Sequence, residues 1–447
     1  MQLFDNQTVA AQAAVAKKMT ETTESSIPSG RLPLGPAQKG FFGMNPPHPN
    51  QFNQGVLLMI DPKVDSKRLF KAIQEVVRHH DSLRLRFTFD SDGQWAQQYE
   101  ESNSRDTVLE DVDLQSFDQF SEVLDKEIAS RQEGFDLKSG KLFRAARFRG
   151  PGGEDRLMLL AHHCVVDGMS WRILLEDIET VYAQLGLDEP LVLPPKSTSF
   201  GEWIRNLPES NTVNQPIVTL FPKPSENRWI DSASVLRECQ MELQPEEETL
   251  VLTGLAQTLG QFTRSSVLPI DIERHGRHPL DESTDLIRTV GWFTSLHSLH
   301  LKLPDAGLAV QRNYVQDKLQ SIPPGQSGQV GPTAQVSFNY LGNLNRSPGK
   351  LFNGLAPEQL PCLNHPDNPR HYLLEIIAYR LDQSLKIIWR FHQKTHEMKT
   401  VQMLADRHLS TMESIVTATK NKVRETQSPS VRGDLNQLMA KLNARKG

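Results

Sequence analysis

The hydrophobic positions of this chain change their spacing repeatedly, from the period of a helix to that of a strand. In Ser66–His79 the apolar residues recur every three or four positions between Leu69 and Val77, which predicts an amphipathic helix. In Leu83–Phe87 apolar and basic residues alternate, which predicts a strand. Because strands and helices alternate without a strict repeat of one strand and one helix, the pattern indicates a layered α/β sandwich rather than a Rossmann fold or a barrel.

The same periodicities predict further elements in both halves of the chain. The predicted strands are Gln54–Ile60, Leu142–Phe148, Leu157–His162, Val267–Glu273, Val336–Tyr340, Leu373–Arg380 and Leu385–Phe391, with one more after Trp292. The predicted helices are Phe117–Gln132, Ile173–Leu185, Glu246–Leu259, Val310–Leu319 and Thr400–Thr417. Since the second half repeats the style of the first, two similar halves that face each other would enclose one central cleft.

The length of 447 residues is enough for roughly two or three domains. The expected segments are a flexible tail at 1–29, an N-terminal lobe at 30–186, a connector rich in Pro, Ser and Asn at 187–240, a C-terminal lobe at 241–425, and a linker with a short amphipathic tail at 426–447. The apolar positions at 435–442 in that tail have helical spacing. They predict either a docking element or a frayed terminal helix.

Composition and charge exclude several classes of protein. The chain is 38% hydrophobic and 23% charged, as is usual for a globular protein, and its formal net charge of -5 is too small to favour nucleic acid or a membrane surface as partner. No apolar run has the length of a transmembrane helix. The three cysteines are scattered, which argues against a disulfide framework and predicts a reducing, cytoplasmic location.

The most informative motif is the run from His162 to Gly168, which reads H-H-x-x-x-D-G. It lies between an apolar run and a helical pattern, where side chains reach the mouth of a cleft. Neighbouring side chains of a strand point to opposite faces, so one histidine at most enters the cleft and a shared metal ion is disfavoured. The alternative is two buried structural histidines. Asp167 stands at a turn, where an aspartate typically fixes the loop.

Two later motifs carry candidate chemistry. If the strand persists, Glu273, His275 and Arg277 lie on one side of it, and an acid, an imidazole and a guanidinium together can move a proton. A surface charge cluster is the alternative interpretation. The strand that ends in Asn339 and Tyr340 could present an amide and a phenol to a cleft, or it could simply pack.

Taken in order, these motifs resemble the condensation superfamily of nonribosomal peptide synthetases, and within it the epimerization branch. The resemblance covers roughly residues 30 to 420. H-H-x-x-x-D-G is shared by the whole superfamily and by related acyltransferases. The branch-specific pieces are Ser170-Trp171-Arg172, the E-G-H-G-R-like run Glu273–Arg277, R-T-V-G-W-F-T at Arg288–Thr294 and F-N-Y-L-G at Phe338–Gly342.

The resemblance implies two lobes like chloramphenicol acetyltransferase, arranged as a V-shaped pseudo-dimer around a central tunnel. Through it the phosphopantetheine arm of a carrier protein, acting in cis or in trans, would deliver an aminoacyl or peptidyl thioester for inversion at Cα from L to D. His163 and Glu273 would be the catalytic pair, and no metal or cofactor of the chain's own is implied. Asn339 and Tyr340 would hydrogen-bond the enolate-like intermediate. The supporting residues would be His162, Asp167, Arg277, Asn339 and Tyr340.

The sequence also departs from the epimerization pattern. Arg274 stands where a glycine is usual, and His297 with Ser298 replaces the usual Tyr-Pro. The second half looks shortened, among other places between Leu319 and Val336, where a short Gly/Gln loop replaces the family's G-x-G-Y-G segment. Two alternatives to epimerization therefore stay open. One is condensation-type acyl transfer, in which His163 positions a nucleophile, and the other is an inactive domain that binds a carrier.

Overall fold

The computed structural model describes residues 30–90, 93–99, 108–187, 189–208, 219–242, 246–281, 283–322, 333–345, 351–361 and 363–426. The predicted tail at 1–29, the Gly/Gln loop at 325–331 and the amphipathic stretch at 435–442 lie outside these residues. Within the described ranges, no helix has the length and apolar character needed to cross a membrane.

The N-terminal lobe combines two sheets with helices on both faces. Its strands are β1 (Arg31–Leu32), β2 (Asn53–Ile60), β3 (Leu85–Phe89), β4 (Trp95–Tyr99), β5 (Val108–Asp113), β6 (Phe143–Arg149) and β7 (Asp155–His162). Its helices are α1 (Pro36–Gly43), α2 (Ser66–His79), α3 (Phe120–Gln132), α4 (Gly168–Gly186) and α5 (Phe200–Asn206). The larger sheet has the order β2-β7-β6-β5, and the smaller one has the order β1-β4-β3.

The C-terminal lobe is built on one mixed sheet. Its strands are β8 (Ser232–Gln240), β9 (Leu268–Arg274), β10 (Ser295–Leu301), β11 (Val336–Asn343), β13 (Leu374–Leu381) and β14 (Ser384–His392), and β12 (Phe352–Leu355) leaves this lobe to pair with β2. Its helices are α6 (Glu247–Thr263), α7 (Leu308–Gln320) and α8 (Met398–Thr426). The sheet order is β10-β9-β11-β13-β14-β8, with β9, β11 and β13 parallel at its centre.

The two faces of the C-terminal sheet differ in chemistry. On β9 and β11 the residues Ile270, Ile272 and Phe338 are fully buried in the apolar core that α6, α7 and α8 cover. The alternate positions on the same strands carry polar side chains, among them Glu273 and Asn339. Since side chains alternate between the faces of a strand, these polar groups collect on the face away from the three helices.

The expected lobe boundaries need correction, because the two lobes exchange segments. We call residues 275–294, between β9 and β10, the crossing loop; four of its apolar side chains are buried in the core of the N-terminal lobe rather than in their own. Those side chains are Leu286, Val290, Trp292 and Phe293. The predicted connector at 187–240 also has structure of its own. It contains α5, which packs in the N-terminal core, and β8, which pairs with β14 along its whole length.

A buried ion pair fixes the crossing loop to the N-terminal lobe. Arg277 Nη2 lies 2.7 Å from Asp167 Oδ1, and each residue is only 3% exposed. The same guanidinium donates to the carbonyl oxygens of Leu286 and Thr289 and lies 4.2 Å from the ring centroid of Phe293. Asp167 in turn accepts from the backbone N–H of Phe293 at 3.2 Å. The contacts of Asp167 with the Arg277 guanidinium and with the Phe293 backbone therefore join the N-terminal lobe to the crossing loop.

We expect the substitution Arg277→Ala to destabilise the fold by about 3–5 kcal/mol, because it leaves the Asp167 carboxylate buried without its counter-charge. The matched control is Arg237→Ala, which removes a surface pair with Asp406 whose side chains are 27% and 61% exposed. That change should cost less than about 1 kcal/mol. Denaturant unfolding of both variants measures the difference, and equal losses would contradict the assignment.

Candidate active site

His163 lies at the junction between the end of β7 and the start of α4. β7 ends at His162, a short 3₁₀ turn covers His163–Val165, and Asp167 caps α4 by accepting from the Ser170 backbone N–H at 2.7 Å. The backbone N–H of His163 also donates to the carbonyl of Phe52 at 2.8 Å. The turn therefore directs the His163 side chain away from the sheet, toward the boundary between the lobes.

Two aromatic rings, which also contact each other, pack against the His163 imidazole. The ring of Phe52 stacks on it with centroids 5.1 Å apart, and Trp292 from the crossing loop lies at 4.3 Å. The amide nitrogen of Gln54 lies 2.8 Å from Nε2 of His163. Of these three residues only Trp292 belongs to a motif singled out in the sequence, and the folded chain shows that all three contact one histidine.

The hydrogen bonds of His163 determine which nitrogen carries the proton. Nδ1 lies 3.0 Å from the carbonyl oxygen of Val166, which can only accept, so Nδ1 is protonated. Nε2 therefore presents its lone pair, and the Gln54 amide donates to it. Burial lowers the pKa of the His163 imidazole below its usual value. The side chain is thus a neutral base at physiological pH.

His162 points the other way and is fully buried. Its Nε2 donates to the carbonyl of Pro49 at 2.8 Å, and its Nδ1 accepts from the backbone N–H of Cys164 at 3.2 Å. Burial lowers its pKa to about 4. The imidazole is therefore neutral and satisfied on both nitrogens, which makes His162 a positioning residue for the turn.

Glu273 lies near the end of β9 on the polar face of the C-terminal sheet. Its carboxylate accepts a 2.6 Å hydrogen bond from the amide of Asn339 on the neighbouring β11. Burial, and next the negative charge of Glu375, raise the pKa of the Glu273 carboxyl to about 7. Arg390 and the Asn339 hydrogen bond oppose that rise. A carboxyl with this pKa can give or take a proton near neutral pH.

Sequence reasoning missed Glu375 and Arg390, which complete the polar face. Glu375 on β13 pairs in register with Arg390 on β14, and their side chains form an ion pair at 3.0 Å. The sequence did contain a signal for these two residues. Each interrupts a strongly apolar strand, at a position whose side chain points to the face opposite that of Ile376 and Trp389. A charged residue at such a position faces either solvent or a site, and sequence alone did not distinguish these.

The strand β9 ends at Arg274, so Glu273, His275 and Arg277 do not share one face. Gly276 follows with φ 65°, and a Cβ there would lie 1.7 Å from the Phe293 carbonyl oxygen. This glycine turn leaves His275 exposed and sends Arg277 inward to Asp167. Arg277 therefore anchors the crossing loop and does not join Glu273.

The structure does not bring Tyr340 to Glu273 either. Tyr340 lies on the helix-covered face of the sheet, where its hydroxyl donates to Glu247 Oε2 at 2.8 Å. Glu247 is also bound by Arg380. The expectation that both Asn339 and Tyr340 line the cleft is corrected by strand alternation, since neighbours on β11 point to opposite faces. Asn339 alone contacts Glu273.

His163 and Glu273 approach the boundary between the lobes from different sheets. Trp292, which contacts His163, is followed closely by β10, and Leu296 on β10 lies opposite Glu273 in the register with β9. Neither side chain hydrogen-bonds the other among the described residues. The arrangement therefore offers a neutral imidazole, whose Nε2 lone pair accepts from the Gln54 amide, and a carboxyl whose pKa lies near 7, which together are the elements of acid–base catalysis.

Comparison with known proteins agrees with this fold and these motifs. A family model described as the condensation domain matches residues 29–215. The chain is 30% identical, over all of its length, to a linear gramicidin synthase protein of Brevibacillus parabrevis, and 32% identical over 90% of its length to the chondramide synthase cmdD of Chondromyces crocatus. It spans only 10% and 12% of those two proteins.

Solved structures show the same architecture. The crystal structure of the epimerization domain from the third module of tyrocidine synthetase B is 25% identical, with a TM-score of 0.78 over 89% of this chain and 99% of that one. The first condensation domain of the calcium-dependent antibiotic synthetase has the same fold, at 16% identity and a TM-score of 0.65 over 87% of this chain and 97% of that one. The predicted two-lobed α/β fold class is confirmed. The chain therefore belongs to the condensation superfamily of nonribosomal peptide synthetases and resembles its epimerization branch.

Proposed function

We propose that this domain epimerizes an aminoacyl or peptidyl thioester at Cα while the substrate is held on the phosphopantetheine of a carrier protein. The strongest support comes from the protonation properties of two side chains, His163 and Glu273. His163 is a neutral imidazole whose Nε2 carries a lone pair, hydrogen-bonded to the Gln54 amide, and the pKa of the Glu273 carboxyl is raised to about 7. Inversion at carbon needs one base and one acid on opposite faces, and these two groups come from opposite lobes.

The protonation states follow from the order of the two pKa values. Since the pKa of His163 is lowered and that of Glu273 is raised, the form with one shared proton has a neutral imidazole and a protonated carboxyl. In that form Nε2 of His163 takes the Cα proton and the thioester carbonyl becomes an enolate. The Glu273 carboxyl then delivers its proton to the other face of Cα. Solvent removes a proton from the imidazolium and returns one to the carboxylate, which resets the pair.

The surrounding residues have positioning tasks in this reaction. The Gln54 amide donates to Nε2 of His163 and so orients the imidazole. This hydrogen bond must break when the substrate binds. Phe52 and Trp292 restrict rotation of the imidazole. Asn339 orients the Glu273 carboxyl. General acid–base catalysis by positioned groups typically contributes about 10²- to 10⁴-fold per group, so the geometry of each matters.

Incubation with an L-aminoacyl or peptidyl carrier protein in deuterated buffer tests the proposal. We expect deuterium at Cα and accumulation of the D product. His163→Ala and Glu273→Gln should each lower formation of the D product by about 10²- to 10⁴-fold. One of the two variants should still exchange deuterium with retention, because the remaining group serves a single face. The matched control is His300→Gln, on β10 opposite Pro269 and so at the far end of β9 from Glu273.

The outcomes of that experiment separate the alternatives. Formation of an amide or ester when an amine or alcohol acceptor is added, without deuterium at Cα, would establish acyl transfer instead. Carrier binding that His163→Ala leaves unchanged, with neither product, would establish a non-catalytic carrier-binding domain. Acyl transfer is the second candidate because the H-H-x-x-x-D-G turn is common to the superfamily and condensation domains share this fold.

The stability of the protein should depend on pH through Glu273. The pKa of Glu273 is higher in the folded chain than its ordinary value of 4.5, so its proton stabilises the fold fully below that value, and the contribution is lost as pH rises through about 7. Relative to wild type, Glu273→Gln should therefore gain about 1–3 kcal/mol of unfolding free energy between pH 5 and pH 8. Denaturant unfolding at both pH values measures this gain.

Glu238→Gln provides the control for the pH experiment, since its side chain is 48% exposed on β8. It should show no gain of comparable size between the two pH values. A constant difference between Glu273→Gln and wild type at both pH values would contradict a raised pKa for Glu273.

A further inference from the structure

A second cluster of side chains with ligand chemistry lies apart from His163 and Glu273. His48 precedes β2, and His365 and Asp367 lie in the chain that leads to β13. The ligand atoms of the three residues all lie within 4.8 Å of one another. The two imidazoles stack with centroids 3.5 Å apart. His48 and Asp367 are exposed and His365 is half-buried, so the cluster is open to solvent.

Backbone and amide hydrogen bonds hold these two chain segments together before any ligand binds. Asn368 accepts from the backbone N–H of His48 at 3.0 Å and donates to its carbonyl at 2.8 Å. The backbone N–H of His365 donates to the carbonyl of Gln51 at 3.0 Å. Asn368 is itself buried, at 2% exposure. The ligand side chains therefore project from a framework that is already assembled, which lowers the entropy lost on binding.

The distances suit a small transition-metal ion. Asp367 Oδ2 lies 4.0 Å from His48 Nε2 and 3.9 Å from His365 Nδ1. Zinc binds imidazole nitrogen and carboxylate oxygen at about 2.0–2.2 Å, so two ligands of one tetrahedral ion lie about 3.4 Å apart. His365 Nδ1 accepts from the backbone N–H of Asp367 at 3.2 Å, so the side chains must rotate and this hydrogen bond must break before the set closes around one ion. Asp367 Oδ1 is turned toward Arg228 at 3.4 Å, which leaves Oδ2 for the ligand.

We propose that His48, His365 and Asp367 form a binding site for a divalent transition-metal ion, for which Zn²⁺ is the best match. Two imidazoles and one carboxylate favour zinc over magnesium or calcium, which prefer sites built from oxygen alone. The bound ion would join two segments that are 320 positions apart at His48 and Asn368. Water completes the coordination, since the three ligands leave one tetrahedral position open.

The ion would act on the framework of the active site rather than on the reaction itself. The segment that carries His48 continues through Pro49, whose carbonyl binds His162, to Phe52, whose ring stacks on His163. Holding this segment to the chain before β13 stabilises the turn that carries both histidines. The site is thus a structural clamp whose existence does not depend on which reaction the domain catalyses.

Calorimetric titration of the tag-free, chelator-treated full chain with ZnCl₂ tests the site. We expect one zinc ion per chain, and a rise in Tm of the wild type on addition of zinc. His365→Gln and Asp367→Asn should each weaken zinc binding by at least about tenfold, since even loss of an outer-shell partner costs that much at metal sites. The matched control His300→Gln removes a half-buried histidine on β10 and should bind zinc as the wild type does.

Both ligand variants should lose the rise in Tm that zinc gives the wild type, whatever their Tm is without zinc. Absence of stoichiometric binding to the wild type would overturn the proposal. So would equal zinc affinity in the wild type and both ligand variants, because the ion would then bind elsewhere. MgCl₂ in place of ZnCl₂ should give no comparable heat or rise in Tm, and equal responses to the two ions would contradict the choice of zinc.

Discussion

The buried pair of Asp167 and Arg277 is the interaction on which the candidate site depends. Asp167 caps the helix that follows His163, and Arg277 belongs to the other half of the chain. Once paired, the guanidinium binds two carbonyls of the crossing loop and so fixes Trp292 against His163. The Asp167–Arg277 pair therefore positions the His163 imidazole through two elements. One is the turn that carries His163, and the other is the crossing loop that carries Trp292.

Further hydrogen bonds also join the two lobes, and they involve residues that lie far apart in the sequence. Ser170 exchanges hydrogen bonds with the backbone of Gly291, and Ser82 donates to the carbonyl of Val290. Arg172 donates to the carbonyl of Asn343 at the end of β11. The hydrogen bonds of these polar side chains hold the lobes together. The acid–base chemistry that we propose rests on His163 and Glu273.

Burial explains why Glu273 differs from the many other carboxylates of the chain. Its position on a sheet face with Glu375 makes the charged form costly, and the Asn339 amide compensates only in part. A fold selected for stability alone would place a neutral residue there. The Glu273 carboxyl therefore costs stability at alkaline pH, and a carboxyl with a raised pKa suits the acid–base role that we propose.

Periodicity predicted much of the fold from sequence, because helices and strands with one buried face have regular patterns. Ser66–His79 begins and ends as predicted, and the alternation of His162 and His163 across the strand end agrees with their opposite surroundings. Period two also implied that Asn339 and Tyr340 diverge, but it could not say which face the helices cover. The packing of the crossing loop in the N-terminal lobe was not predictable. The sequence of a loop with apolar residues does not show which lobe buries them.

The proposed acid–base pair depends most directly on the protonation state of Glu273. Infrared difference spectroscopy of the carboxyl stretch across a pH titration, with Glu273→Gln as the subtraction control, measures it in the intact domain. We expect the infrared signal of the protonated Glu273 carboxyl to be lost as pH rises, with a midpoint near pH 7. A midpoint below about pH 5, as in an ordinary exposed glutamate, would contradict it.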